Sequence, residues 1–132
     1  VTRDSFRTDL QNSLKALEKL GVKTGAYYLP SYEWYNYNIA QWTEELCLKL
    51  VNFTPGTFTN ADYTYPELAN YRTSDEILNR LFTLENKSGF NGNMLLIHLG
   101  TDERRRDKLY DRLDELIKRL KAAGYTFEKL PS

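Results

Sequence analysis

The chain has 132 residues, enough for one domain but not two, and its 18 basic and 18 acidic side chains cancel to a formal net charge of zero. This balance argues against a nucleic-acid-binding surface, which normally carries a basic excess, and no apolar run approaches the roughly 18 residues of a membrane span. Cys47 is the one cysteine, which excludes an internal disulfide and a cysteine-cluster zinc site. The chain begins at Val1 without an initiator methionine or a signal peptide, so we expect that an upstream segment has been removed.

The first predicted helix has Asp4 or Ser5 as its N-cap and ends before Gly21, which suits a left-handed C-terminal cap. Its apolar residues recur at spacings of three and four and should form the buried face: Phe6, Leu10, Leu14, Leu17 and Leu20. The stretch Thr24–Leu29 then predicts a short buried strand that Pro30 stops.

A second helix is predicted from about residue 38 to residue 47, and it places Cys47 late in the helix as a structural residue. Three apolar residues share one face of this helix: Ile39, Trp42 and Leu46. A second strand is predicted over Lys49–Thr54, and Pro55-Gly56 ends it with a turn signal.

The stretch from residue 55 to residue 72 shows no periodicity and is rich in Thr, Asn, Tyr and Pro. Loops longer than about 12–15 residues are uncommon in compact domains and are usually functional or disordered. The aromatic residues in and beside this stretch argue against disorder. We therefore expect a functional loop.

The second half of the chain repeats the alternation of helix and strand. A capping box at Thr73 and Glu76 opens a third helix. Its predicted buried face consists of Ile77, Leu78, Leu81 and Leu84. The apolar run Asn93–His98 predicts a buried parallel strand, the longest helix follows from about Glu103 to Ala123, and Tyr125–Leu130 gives a last strand.

The predicted order of elements is a helix followed by a strand, repeated four times. Such alternation is typical of an α/β fold with parallel strands, in a doubly wound sheet or a barrel. The longest helix should bury Leu109, Leu113, Leu116 and Leu120. Its Arg104–Arg106 run is interpreted as a solvated face, because acidic residues follow directly.

Aromatic residues follow the first two predicted strands. The chain has 10 Tyr, and eight of them lie between Tyr27 and Tyr71. In parallel α/β folds, ligands bind beyond the carboxyl ends of the strands. Tyr and Trp combine a flat apolar face with a hydrogen-bonding group, which suits a sugar. The alternative is that these rings fill packing sites, but their confinement to two strand-end loops favours a binding surface.

His98, the only histidine, ends the most apolar predicted strand. Imidazole exchanges protons near neutral pH, so His98 is a candidate general acid or base. The alternative is a structural histidine whose ring is satisfied by hydrogen bonds. The sequence contains no P-loop, no GxGxxG, no HExxH and no Ser-His-Asp order, and one histidine with scattered carboxylates does not assemble a metal site.

These residues resemble the polysaccharide deacetylase family, also called the NodB-homology or carbohydrate esterase family. That family closes with an apolar strand ending in His, which Leu95–His98 matches, and then with a helix and a Gly-Tyr-initiated strand, which residues 121–130 match. Residues 28–34 resemble its aromatic-proline motif. The resemblance covers essentially the whole chain.

The resemblance implies a distorted (β/α)7 barrel that removes acetyl groups from a chitin-, peptidoglycan- or xylan-like polysaccharide, in a secreted, periplasmic or cell-envelope protein. It implies that a metal-activated water attacks the acetyl carbonyl and that His98 protonates the leaving group. Leu96 would line the acetyl-methyl pocket, and Tyr32 would present an oxyanion-stabilising main-chain N–H and a substrate-facing ring. The further substrate-binding residues are Pro30, Trp34 and Asp62, the last as a loose substitute for the family's Asp-Trp motif.

Two departures from the family pattern qualify this expectation. Leu29 occupies the position of the motif Arg, and the first three strands are absent together with the Asp-Asp and His-x-x-x-His metal ligands. We therefore expect residues 1–132 to be a single domain forming the C-terminal portion of the barrel, with about four strands and four helices. The complete domain would bind a divalent metal, zinc or similar, and this chain alone would bind none.

The expected partners are a polysaccharide or oligosaccharide and either the missing N-terminal half or a second copy of the chain, with no nucleic acid and no membrane. The isolated chain is then expected to be inactive. Two alternatives remain open. One is a non-catalytic carbohydrate-binding relative or inactive fragment, which Leu29 favours. The other is a small interaction domain whose aromatic end packs on a protein partner.

Overall fold

The computed structural model describes residues 1–130, which form two compact units: residues 1–52, to which Leu130 also belongs, and residues 53–129. Within residues 1–130, no helix combines the length and the apolar character that crossing a bilayer requires. Four α-helices and a two-stranded parallel sheet form in this part of the chain.

Helix α1 (Arg3–Lys19) opens the first unit, and its N-cap is Thr2 rather than either of the predicted residues. The Thr2 hydroxyl accepts a hydrogen bond from the Ser5 N–H, and the Ser5 hydroxyl accepts one from the Thr2 N–H. Two N–H groups at the start of the helix are thereby satisfied reciprocally. The predicted helix is confirmed, and its start lies at a capping box that the sequence reading missed.

The predicted buried face of α1 is only half right. Phe6 and Leu10 are buried, whereas Leu20 is 79% exposed. Phe6 packs against two aromatic rings of this unit. Its ring centroid lies 5.8 Å from that of Tyr28 and 5.9 Å from that of Trp42. The C-terminal turns of α1 instead border an open groove of about 320 Å³. The leucines in these turns therefore lack the aromatic contacts that bury Phe6.

Strands β1 (Tyr27–Tyr28) and β2 (Lys49–Leu50) pair in parallel, with Tyr27 opposite Lys49. Helix α2 (Tyr37–Glu45) connects them, so this half contains one strand–helix–strand crossover as predicted. The strands are shorter than predicted, because only two residues of each find ladder partners. Cys47 lies beyond α2 in an exposed turn with a φ of 58°, so its predicted place within the helix is wrong.

The second unit contains helices α3 (Ser74–Ser88) and α4 (Leu113–Ala122). The capping box at Thr73 and Glu76 is confirmed at the start of α3. Helix α4 begins later than predicted. A 3-10 turn over Leu109–Arg112 precedes it, and residues 103–108 are not helical.

The core of the second unit lies between these helices and the segments that cross them. Eight apolar side chains form it: Ile77, Leu78, Leu81, Phe82, Phe90, Leu109, Leu116 and Leu120. Six of the eight were predicted from helical spacing. Leu84 and Leu113, also predicted, are half-buried and pack against its edge, as do Ala61, Leu95, Ile97 and Tyr125.

The two strands predicted for this unit, Asn93–His98 and Tyr125–Leu130, are wrong as strands. A strand needs a continuous ladder of backbone hydrogen bonds, and residues 93–98 do not form one among the described residues. The Met94 carbonyl accepts from the Thr54 N–H at 2.9 Å, and the Met94 N–H donates to the Thr54 hydroxyl at 2.9 Å. The structure therefore confirms four helices and a parallel α/β element, with two strands in place of four.

Candidate functional site

The long loop between β2 and α3 contains a short 3-10 turn, Thr59–Tyr63, which carries Asp62. Thr64 ends this turn, because both its N–H and its hydroxyl donate to the Ala61 carbonyl, at 3.0 and 2.6 Å. Ala61 in turn packs against the hydrophobic core. The stretch from residue 55 to residue 72 shows no periodicity in sequence, but this part of it is an ordered element with a fixed position in its unit.

Asp62 and His98 form a two-point contact. The Asp62 Oδ1 lies 2.6 Å from the His98 Nδ1, and the Asp62 Oδ2 accepts the His98 main-chain N–H at 2.8 Å. Because His98 contacts both carboxylate oxygens of Asp62, these contacts fix the orientation of the imidazole ring as well as its distance from the carboxylate. This arrangement leaves Nε2 as the ring nitrogen available to a ligand.

Burial differs sharply between the two partners. The side chain of Asp62 is 1% exposed and that of His98 is 34% exposed. The Tyr63 ring meets the imidazole edge-on, with centroids 5.8 Å apart. The carboxylate therefore holds the Nδ1 side of the imidazole ring, and Nε2 is the ring nitrogen placed to form a hydrogen bond with a ligand.

A buried arginine supports the segments on either side of this turn. Arg105 is fully buried, and its guanidinium donates to the carbonyls of Thr64, Arg72 and Asp107 at 2.8, 3.0 and 3.0 Å. A fourth hydrogen bond goes to the Ser74 hydroxyl at 3.0 Å. One side chain thereby joins the end of the Asp62 turn to the start of α3.

The interpretation of Arg104–Arg106 as a solvated face is right for Arg104 and Arg106, which are exposed, and wrong for Arg105. The sequence offers no signal for this difference, because the three side chains are identical. The decisive factor is the set of free carbonyls that residues 64, 72 and 107 present at one point, which only a multi-donor planar group satisfies.

Asp107 completes this network. Its carboxylate accepts the Ser74 N–H at 2.6 Å and the Tyr71 hydroxyl at 2.8 Å, and the Arg105 guanidinium lies 3.7 Å away. Burial acts to raise the pKa of Asp107, but these hydrogen bonds and the arginine charge hold that pKa below its usual value. Burial and the bond to Asp107 raise the pKa of Tyr71.

The predicted site residues fall into both units. The second unit holds His98 and Asp62, which are in direct contact, and Leu96. Leu96 is half-buried, while its neighbours Leu95 and Ile97 pack against the core. This alternation is typical of extended backbone, so Leu96 and His98 share the side that faces away from the core.

The first unit holds the other predicted residues, Pro30, Tyr32 and Trp34. Pro30 is buried, whereas the rings of Tyr32 and Trp34 are 86% and 83% exposed. Tyr32 and Glu33 have φ values of 55° and 59°, an uncommon conformation for residues with a Cβ. The Asn52 amide donates to the Glu33 carbonyl at 2.9 Å and helps to hold this turn.

Metal-binding chemistry does not emerge from the described residues. Residues 1–130 contain no group of three or more His, Cys, Asp or Glu side chains placed to hold a cation. The Asp62–His98 pair supplies two donors, and a protein zinc site normally uses three. The resemblance places the metal ligands in N-terminal motifs that this chain does not contain, so the metal of the complete domain stays a prediction.

Comparisons with known protein families, with curated proteins and with solved structures find no match to this chain.

Proposed function

We propose that this chain carries the general acid of a polysaccharide deacetylase, which removes acetyl groups from a chitin-, peptidoglycan- or xylan-like substrate. The observation that carries the proposal is the pair in which the buried Asp62 carboxylate holds the His98 Nδ1 at 2.6 Å. The sequence resemblance gave His98 this role and gave Asp62 only a loose one. Their direct contact supports the role of His98 and, for Asp62, a role in positioning the imidazole.

The proposed chemistry uses the free nitrogen of the imidazole. Water adds to the acetyl carbonyl and loses a proton to a base in the completing polypeptide, the bond from that carbon to the sugar nitrogen or oxygen breaks, and the leaving atom takes a proton from the His98 Nε2. Acetate and a free amine or hydroxyl are the products. Asp62 positions the ring and fixes which nitrogen faces the substrate, as the carboxylate does in a carboxylate–histidine pair. A divalent metal of the complete domain would activate that water, and its ligands would come from the N-terminal motifs that this chain lacks.

Leu96 and Tyr32 keep the roles that the resemblance gives them within this proposal. Leu96 lies two positions before His98 on the same side of the segment, as a residue that lines an acetyl-methyl pocket requires. The left-handed backbone at Tyr32 and Glu33 supports a functional turn, because strained conformations concentrate at binding sites. Pro30 and Trp34 flank that turn as further sugar-contacting residues.

We further propose that the chain belongs to a distorted (β/α)7 barrel and is completed by further polypeptide. The support is the parallel crossover of the first unit and the segment at residues 93–98, which forms a backbone hydrogen bond from Thr54 to Met94 but no strand among the described residues. The completing partner is an N-terminal barrel segment or a second copy of the chain. A polymeric wall or envelope substrate then places the protein outside the cytoplasm.

Acetate release tests this proposal. The longest polypeptide that carries residues 1–132 is incubated with acetylated xylan and with chitooligosaccharides in the presence of a divalent metal. We expect His98→Ala to lower the rate by at least about 100-fold and Asp62→Asn by at least about 10-fold, in line with a lost acid and a lost positioning group. Equal rates for the parent protein and both variants would overturn the proposal.

A second candidate function is non-catalytic carbohydrate binding. The specific observation that favours it is the exposure of Tyr32, Trp34 and Tyr37, each at least 80% accessible to solvent. Exposed rings of this size present the apolar faces that stack on sugars. Binding of the same oligosaccharides without acetate release, weakened by Trp34→Ala and unaffected by His98→Ala, would establish this function in place of the first.

A further inference from the structure

The second unit has an open groove beside the N-terminal half of α3 that the proposed catalytic pair does not use. Its volume is about 310 Å³, and six residues line it: Phe58, Arg72, Glu76, Ile77, Asn79 and Arg80. Ile77 is buried and forms its apolar floor, while the polar side chains reach solvent. The groove thus combines two guanidinium groups, an amide and an aromatic ring.

Arg80 stacks on Phe58, with its guanidinium carbon 3.2 Å from the ring centroid. Stacking occupies the face of the guanidinium and leaves the N–H donors along its edge. Among the described residues, no carboxylate forms an ion pair with Arg80, so these donors remain open to a ligand. Phe58 itself has a φ of 60°, and this uncommon backbone conformation places its ring at the groove.

The charge of the groove is positive. Arg72 adds a second guanidinium, and Glu76 is the one acid among the six lining residues. The Glu76 carboxylate accepts the Thr73 N–H at 2.7 Å and the Thr73 hydroxyl at 3.1 Å as the cap of α3, and the nearby charge of Arg72 acts on it. Two guanidinium groups against one carboxylate leave the groove with a net positive charge for an external anion, and Arg80 carries the guanidinium that pairs with no carboxylate of the described residues.

We propose that this groove binds the carboxylate of an acidic sugar residue, a uronate. The inference rests on the proposed function for one point, that the ligand is part of a polysaccharide. Arginine recognises a carboxylate through two parallel hydrogen bonds. The Asn79 amide suits the sugar hydroxyls, and the exposed edge of Phe58 suits the ring.

One residue of the groove and one residue of the catalytic pair lie on the same short element. Phe58 is the N-cap of the 3-10 turn and precedes Asp62 by four positions, so a 3-10 rise of about 2 Å per residue places the two residues on the order of 8 Å apart along the chain. One sugar chain can therefore contact both places. The proposed substrate class narrows accordingly to acetylated polysaccharides that contain uronate residues.

Isothermal titration of the chain with trigalacturonate, with a neutral trigalactoside and with sodium sulfate tests this assignment. We expect the uronate oligomer to bind at least about 10-fold more tightly than either other probe. Arg80→Met and Arg72→Met should each weaken it by about 10-fold or more, because each removes one guanidinium from the carboxylate. Arg106→Met, which removes an exposed arginine outside the groove, should leave binding unchanged.

The inference fails if Arg80→Met binds trigalacturonate as the parent chain does, or if the neutral oligomer or sulfate alone matches its affinity. The His98→Ala variant distinguishes failure of the groove proposal from failure of the proposed catalysis. Trigalacturonate binding that persists in His98→Ala supports the groove even when acetate release is absent. Acetate release without uronate binding would overturn the groove and leave the deacetylase proposal intact.

Discussion

Replacing Arg105 by Met removes the centre of the polar network that joins the Asp62 turn to α3. The substitution deletes four hydrogen bonds of 2.8–3.0 Å, three of them to main-chain carbonyls. The methionine fills part of the same volume but offers no donor. The carbonyls of Thr64, Arg72 and Asp107 then stay in an interior from which water is largely excluded.

The magnitude follows from this loss. Hydrogen bonds to a charged group contribute about 1.5–3 kcal/mol each, and the desolvation of a fully buried guanidinium offsets part of their sum. Removing one partner of a buried charged network typically costs about 3–5 kcal/mol, and we expect that range for Arg105→Met. The free energy of unfolding of Arg105→Lys should fall between those of the parent chain and Arg105→Met, because an ammonium retains the charge but cannot span four acceptors.

The assay is urea-induced unfolding followed by circular dichroism, with Arg106→Met as the matched control. Arg106 is the exposed neighbour of Arg105, so its substitution should change the free energy of unfolding by no more than about 0.5 kcal/mol. A loss below about 1 kcal/mol for Arg105→Met, or one equal to that of Arg106→Met, would refute the reasoning. Retention of the Asp62–His98 contact in Arg105→Met, observed by NMR, would show that the network does not position the pair.

Three further predictions concern the same unit. Leu81→Ala should lower the free energy of unfolding by about 2–5 kcal/mol, because Leu81 is fully buried in the core, and a thermal melt with unchanged stability would contradict this. Thr73→Ala should cost about 1 kcal/mol by removing the α3 cap, whereas the exposed Thr83→Ala serves as a control expected to change little. The pKa of Asp107 is lowered on folding, so its stabilising contribution is complete above the ordinary value near 4 and is lost as the pH falls through the lowered pKa. Denaturation series from pH 6 to pH 2 should therefore show the parent chain and Asp107→Asn converging in stability on the acid side, and a constant difference would refute the linkage.

Periodicity and end signals determined the helices. Ile77, Leu78 and Leu81 recur at helical spacing and are buried, and the Thr73–Glu76 capping box begins α3 where predicted. These features are local, since a helix satisfies its own backbone and needs only one apolar face to be covered. The sequence also identified His98 as the residue whose chemistry differs from every other in the chain.

Only the tertiary structure decided which segments pair as strands, which arginine is buried and which residue contacts His98. The apolar run at residues 93–98 satisfies the pattern of a strand, but pairing depends on a neighbouring backbone that a local pattern does not contain. Arg105 is identical in type to the arginines on both sides and differs only in the carbonyls around it. Asp62 lies 36 positions before His98, so their contact became visible only when folding placed a buried carboxylate 2.6 Å from the imidazole.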